Sequence, residues 1–116
     1  MPSPITTHVL DTMRGKPASS VPVIFEQKSG ADWKPLAKSM TNADGRVMDL
    51  LPDNFELHSG VYRLTFDTTA YFAISGQPTF YPYVQIVFEV HPGASGQHFH
   101  VPLLLSPYGY STYRGS

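Results

Sequence analysis

The chain of 116 residues contains no cysteine. That absence removes disulfides, thiolate-bound zinc and thiol nucleophiles together, so any chemistry must rest on His, carboxylates, Arg, Tyr, Ser or Thr. Charge is also scarce. Asp, Glu, Lys and Arg make up 15% of the residues, and eight cations against nine acids leave a formal net charge of -1. An average globular domain carries about 25% charged residues. The cations are spread singly, with no basic stripe to follow a phosphate backbone, which argues against nucleic acid and an anionic membrane surface as partners. No apolar run approaches the roughly 18 residues needed to cross a bilayer. Met1 to Thr7 lacks a cationic stretch followed by an apolar one, giving the expectation of a cytoplasmic protein, with peroxisome and periplasm as alternatives.

What is present is turn chemistry and aromatics. Eleven prolines and nine glycines divide the sequence into short runs, and seven Phe, seven Tyr and one Trp suit strands and the faces where subunits or ligands meet. Most runs alternate with period two, as half-buried strands do. Val21, Val23 and Phe25 share one face. Tyr62, Leu64 and Phe66 stand opposite Arg63 and Thr65. Val84, Ile86, Phe88 and Val90 face one way, and Phe99, Val101, Leu103 and Leu105 point inward. Turns at Arg14 to Pro17, Lys28 to Gly30, Asn42 to Gly45, His58 to Gly60 and His91 to Gly93 separate them. One short helix is expected over Thr68 to Ser75, capped by Asp67 or Thr68 and stopped by Gly76. The pattern predicts an all-β, two-sheet sandwich or barrel forming one domain over residues 1–116.

Five histidines are the first candidates for proton transfer. On the run holding Phe99 to Leu105 the inward set is odd-numbered, so His98 and His100 project from the opposite face, about 7 Å apart by strand geometry. On Ile5 to Leu10, the even-numbered Thr6, His8 and Leu10 share the face away from the core. A first strand and a late strand thus each present histidine on a non-core face, and in a sandwich such strands can be neighbours. The alternative is a solvated pair, a subunit contact or a His-x-His metal site without a third ligand at a telling spacing. His58 and His91 lie in turns and look like ordinary loop residues. Arg46 follows the Asp44-Gly45 turn, where a guanidinium can clamp a planar anion or carbonyl. The end of the chain, Ser106 to Ser116, alternates Tyr with Ser and Thr and does not read as a frayed tail.

Three segments carry a resemblance to a known family: Ile5-Thr6-Thr7-His8-Val9-Leu10-Asp11, Thr41-Asn42-Ala43-Asp44-Gly45-Arg46, and His100-Val101-Pro102-Leu103-Leu104-Leu105-Ser106-Pro107 running into Ser111-Thr112-Tyr113-Arg114-Gly115-Ser116. Over essentially its whole length the chain resembles the transthyretin-like proteins of the 5-hydroxyisourate hydrolase type. The closing Tyr-Arg-Gly-Ser is the most specific element, because the hormone-carrying transthyretins end differently. The resemblance implies a transthyretin-type sandwich of about eight strands in two sheets with one short helix near 68–75. It also implies a homotetramer whose sites lie between dimers.

Carried over position by position, the resemblance implies that His8, Arg46 and His100 are catalytic. Tyr113, Arg114, Gly115 and Ser116 are then substrate-binding, with no metal and no cofactor. The implied substrate is 5-hydroxyisourate, a small planar purine derivative. One of the two histidines draws a proton from water while the other orients it or protonates the leaving nitrogen. Arg46 stabilises the developing negative charge. Two other classes stand beside this expectation: a carrier that binds thyroid hormone in the same channel without chemistry, and a structural or metal-binding sandwich module.

Overall fold

The alternation of apolar residues in the sequence becomes two packed sheets, described here from a computed structural model covering residues 3–94 and 96–115. Among the described residues there are nine strands and one helix. In chain order they are β1 (Ile5–Asp11), β2 (Lys16–Pro17), β3 (Pro22–Ser29), β4 (Asp32–Met40), β5 (Arg46–Val47), β6 (Gly60–Phe66), α1 (Thr68–Ala73), β7 (Val84–Val90), β8 (Phe99–Ser106) and β9 (Gly109–Thr112). One sheet has the order β2-β1-β8-β9, with the two-residue β5 also paired to β1; the other has the order β4-β3-β6-β7. β1 and β8 run parallel, Thr6 opposite His100 and His8 opposite Pro102. β5 pairs antiparallel with β1 and sets Arg46 opposite His8.

The expected inward faces form the core. Ile5, Val9, Val23, Phe25, Leu64, Phe66 and Leu103 are fully buried, and the Phe25, Tyr62 and Phe88 rings stack with centroids 5.3 to 6.3 Å apart. The irregular segment after β5 closes one end of this core with Leu50, Leu51 and Leu57, a contribution that no periodicity signals. Strand β4 is likewise unmarked by alternation, because it is an edge strand of exposed and half-buried residues and contains Pro35. Proline has no N–H to give to a ladder, and the β3–β4 register shifts beside it, from Phe25 opposite Ala37 to Glu26 opposite Pro35. On the outer face of this sheet Arg63 Nε donates to Glu26 at 2.7 Å, and its guanidinium stacks 4.3 Å from the Trp33 ring centroid.

The helix forms where its caps predict, although it is shorter than the Thr68 to Ser75 expected. The Asp67 side chain accepts from the Ala70 N–H at its start, and Gly76 follows at φ 67°. It docks through Tyr71, whose hydroxyl donates to Asp11 Oδ2 at 2.7 Å, while Arg14 N–H donates to Oδ1 at 3.0 Å. Burial, and secondarily the Asp11 carboxylate, push the Tyr71 hydroxyl up to about 12. Asp11 is completely buried, so losing the Tyr71 bond leaves its Oδ2 only the longer contact to Arg14 Nε at 3.7 Å. Tyr71→Phe should therefore lower unfolding stability by about 2 kcal/mol, read from the denaturant midpoint at unchanged m-value. A midpoint equal to that of the parent would show that Arg14 or water satisfies Asp11 instead.

Candidate active site

Local chain chemistry carries Arg46 to the edge of β1. Asn42 Oδ1 accepts from the Asp44 N–H at 2.9 Å and from the Arg46 N–H at 3.0 Å, closing the turn from inside. Gly45 takes φ 74° and its carbonyl accepts from the Val9 N–H at 2.7 Å. A Cβ at Gly45 would overlap the Val9 carbonyl oxygen, so this turn sits against β1 only with glycine there. The result is an exposed Arg46 paired in register with half-buried His8.

His100 reaches the same face from β8, one strand over. Its imidazole is half-buried, with Nδ1 2.8 Å from Thr6 Oγ1. On the other side Gly115 pairs with it: the Gly115 N–H donates to the His100 carbonyl at 2.8 Å. A Cβ on Gly115 would come within 2.6 Å of His100 Cδ2, so the ring occupies the space a side chain there would need. His98 lies alongside, its ring centroid 6.5 Å from that of His100 and its Nε2 3.0 Å from Thr6 Oγ1.

Electrostatics mark these imidazoles as one group. Partial burial, then the Arg46 guanidinium, lowers the pKa of His8 below the ordinary 6.5; a hydrogen bond to the Asp44 backbone and the Asp44 charge oppose this. His100 is lowered by the same two causes in the same order and further by His8 and His98, against a hydrogen bond to the Thr6 backbone. Both rings are thereby biased toward the neutral form, the state in which an imidazole nitrogen accepts a proton. Neutral rings beside a fixed cation can activate water and stabilise a developing oxyanion.

The structure brings His8, Arg46, His100 and Gly115 together. It turns Tyr113 and Arg114 elsewhere. They line a cavity of about 300 Å³ with Val87, Phe88 and Phe99, where the Arg114 guanidinium stacks 4.8 Å from the Phe99 centroid and donates to Gln97 at 3.2 Å. Ser116 lies outside the described residues. His58 and His91 stand apart, beside exposed Glu56 and Glu89. Thr6 is the residue that sequence reasoning did not single out, although it shares the outward face of β1 with His8. Among the described residues no group of three or more His, Asp or Glu is arranged to hold a metal ion, and no helix is long and apolar enough to cross a membrane.

Known proteins share both the chain and its fold. The 5-hydroxyisourate hydrolase of Mus musculus is 47% identical over 116 aligned positions, spanning 98% of this chain and 96% of that protein. The structure of Klebsiella pneumoniae 5-hydroxyisourate hydrolase superposes with a TM-score of 0.84 at 38% identity, covering 97% of each chain. The crystal structure of transthyretin from Sparus aurata gives 0.87 at 35% identity, covering 97% of this chain and 96% of its own. Residues 5–115 match the family described as HIUase/Transthyretin, and the chain belongs to that family.

Proposed function

We propose that the protein hydrolyses 5-hydroxyisourate to 2-oxo-4-hydroxy-4-carboxy-5-ureidoimidazoline. The observation that carries this reading is the meeting of His8, Arg46 and His100 on one outward face, two imidazoles of lowered pKa beside an exposed arginine. The 47% identity to a hydrolase over nearly the full length supports it. In the proposed reaction one imidazole takes a proton from water as the water oxygen bonds to the lactam carbonyl carbon. Arg46 balances the negative charge that gathers on the carbonyl oxygen. The carbon–nitrogen bond then breaks, and the leaving nitrogen receives a proton from the histidine pair. Gly115 lets the chain pass flat against His100, while Tyr113, Arg114 and Ser116 are proposed to bind substrate from the same closing segment.

The assembly is proposed as a homotetramer with sites between dimers. Edge strands β7 and β9 leave unpaired backbone beside exposed Val87, Tyr110 and Tyr113, surface that a second copy would cover. The cytoplasm is the proposed compartment.

5-Hydroxyisourate made in place from urate by urate oxidase should lose its ultraviolet absorbance faster with the protein present. Replacement of His8, Arg46 or His100 by Ala should slow turnover by roughly 10²- to 10⁴-fold without unfolding the chain. Light scattering on the same preparation should give four chains per particle. Full activity in the three variants would sink the mechanism, and an inert tetramer that binds thyroxine would favour a carrier.

The pH profile follows from the lowered histidines. Because the neutral ring is the working form, kcat/KM should hold as pH falls through 6.5 and drop only below it. Arg46→Ala removes a charge that depresses both rings, so the residual activity should show its acid limb displaced to higher pH. An unmoved limb would mean that neither histidine titrates in the rate.

Gly115→Ala should displace the His100 ring and reduce kcat roughly 10- to 100-fold with little change in thermal stability, measured by steady-state kinetics and calorimetry. Unchanged kcat would show that the ring position is not critical.

A further inference from the structure

Thr6 Oγ1 sits between two imidazole nitrogens, 3.0 Å from His98 Nε2 and 2.8 Å from His100 Nδ1, and the residue is 1% exposed. A hydroxyl has one proton. If it donates to one ring it must accept from the other, so the tautomers of His98 and His100 are coupled through Thr6 and are not set independently. Both rings could donate to the two lone pairs of the oxygen, but among the described residues the buried Thr6 proton would then have no acceptor, so two arrangements remain. In the first, His100 Nδ1–H donates to Thr6 and Thr6 donates to His98 Nε2. In the second, His98 Nε2–H donates to Thr6 and Thr6 donates to His100 Nδ1.

The surroundings favour the first. In it the His100 ring proton lies on Nδ1, 2.8 Å from Thr6 Oγ1, whereas the second would put that proton on Nε2, away from Thr6. His8 and His98 are the other titratable groups acting on His100, and Gly115 packs on its carbon edge without charge. Among the described residues no hydrogen-bond partner falls to Nε2. His98 is exposed and opens onto a cavity of about 570 Å³ lined also by Asp53, Glu56 and His58, where its own Nδ1–H can be solvated.

We infer that Thr6, backed by His98, is a positioning residue that holds His100 with Nδ1 protonated and Nε2 bare, which assigns His100 as the base toward water and leaves His8 to orient that water. This rests on the hydrolase reading. Water gives its proton to His100 Nε2 as its oxygen bonds to the carbonyl carbon. The resulting imidazolium keeps its Nδ1–H on Thr6 and gives its Nε2 proton to the leaving nitrogen as the carbon–nitrogen bond breaks, and the carboxylic acid formed releases its proton to solvent. Holding a catalytic imidazole in one tautomer by a bond to its far nitrogen is worth orders of magnitude in rate in other enzymes.

The test is ¹⁵N NMR of the histidine rings, with kinetics on the same samples. Neutral His100 should show the Nδ1–H tautomer in the parent and in Thr6→Ser, which retains the hydroxyl. In Thr6→Val and His98→Phe it should shift toward Nε2–H. The Thr6→Val kcat should fall about 10- to 100-fold with KM little changed, and Thr6→Ser should restore most of it. Should Thr6→Val not fold, Thr6→Ser and His98→Phe carry the same comparison. An Nε2–H tautomer in the parent, or a tautomer indifferent to Thr6 and His98, overturns the inference. The ring tautomer is read without substrate, so a locked His100 in a protein that does not hydrolyse 5-hydroxyisourate would fault the hydrolase reading alone. An unlocked His100 in an active enzyme would fault the inference alone.

Discussion

The parallel pairing of β1 with β8 is the constraint on which the rest depends. It joins a strand at the start of the chain to one near its end, over seven register pairs from Ile5 opposite Phe99 to Asp11 opposite Leu105. Such a contact closes a long loop before it returns any energy, so it forms only because both strands also bury their odd-numbered side chains in the core. Ile5, Val9, Leu103 and Leu105 are each at most 1% exposed. Once that register is fixed, the even-numbered face has no freedom left. Thr6 must lie against His100, and His8 falls two pairs further along, where β5 brings Arg46.

The site is therefore built on the face that stability does not need, and its chemistry shows in the electrostatics. Two imidazoles and a guanidinium gathered in partial burial disfavour protonation of either ring, with desolvation the larger cause and Arg46 the next. In linkage terms, histidines whose folded pKa is lowered make the fold lose stability as pH falls below their ordinary 6.5, because the unfolded chain binds those protons more readily. The same repulsion that weakens the acid-side fold keeps both rings in the neutral form proposed for catalysis. The Tyr71 and Asp11 bond at the far end of β1 helps hold the strand that carries this burden.

Much of this was legible in the sequence, for reasons that differ by element. Period-two alternation located β1, β3, β6, β7 and β8 because each has one buried face, and Asp67 with Gly76 bracketed the helix. Strand β4 was not legible: an edge strand of exposed and half-buried residues has no clean alternation to show, and Pro35 reads as a breaker. The core residues Leu50, Leu51 and Leu57 escaped because an irregular segment has no period. Within the site, parity placed His8, His98 and His100 on outward faces, but only the register could show that Thr6 bridges two of them. Tyr113 and Arg114 illustrate the opposite limit. Proximity in sequence to Gly115 does not bring their side chains to the histidines; both line the cavity beside Val87, Phe88 and Phe99, on which their sequence positions give no information.

Backbone shape alone does not separate catalysis from carriage in this family. A transthyretin and a 5-hydroxyisourate hydrolase superpose on the chain almost equally, at TM-scores of 0.87 and 0.84. What distinguishes the two readings is the set of groups placed on the shared scaffold. A carrier channel is served by apolar contact and a few polar anchors, and gains nothing from desolvated histidines held beside a cation. Here the turn at Gly45 is tight enough to require glycine, and the bridge of Gly115 to His100 leaves no room for a side chain beside that ring. Both constraints fix the positions of His8, Arg46 and His100 relative to one another. Constraint of that kind is what general base catalysis needs, because proton transfer is sensitive to placement at the scale of about 1 Å.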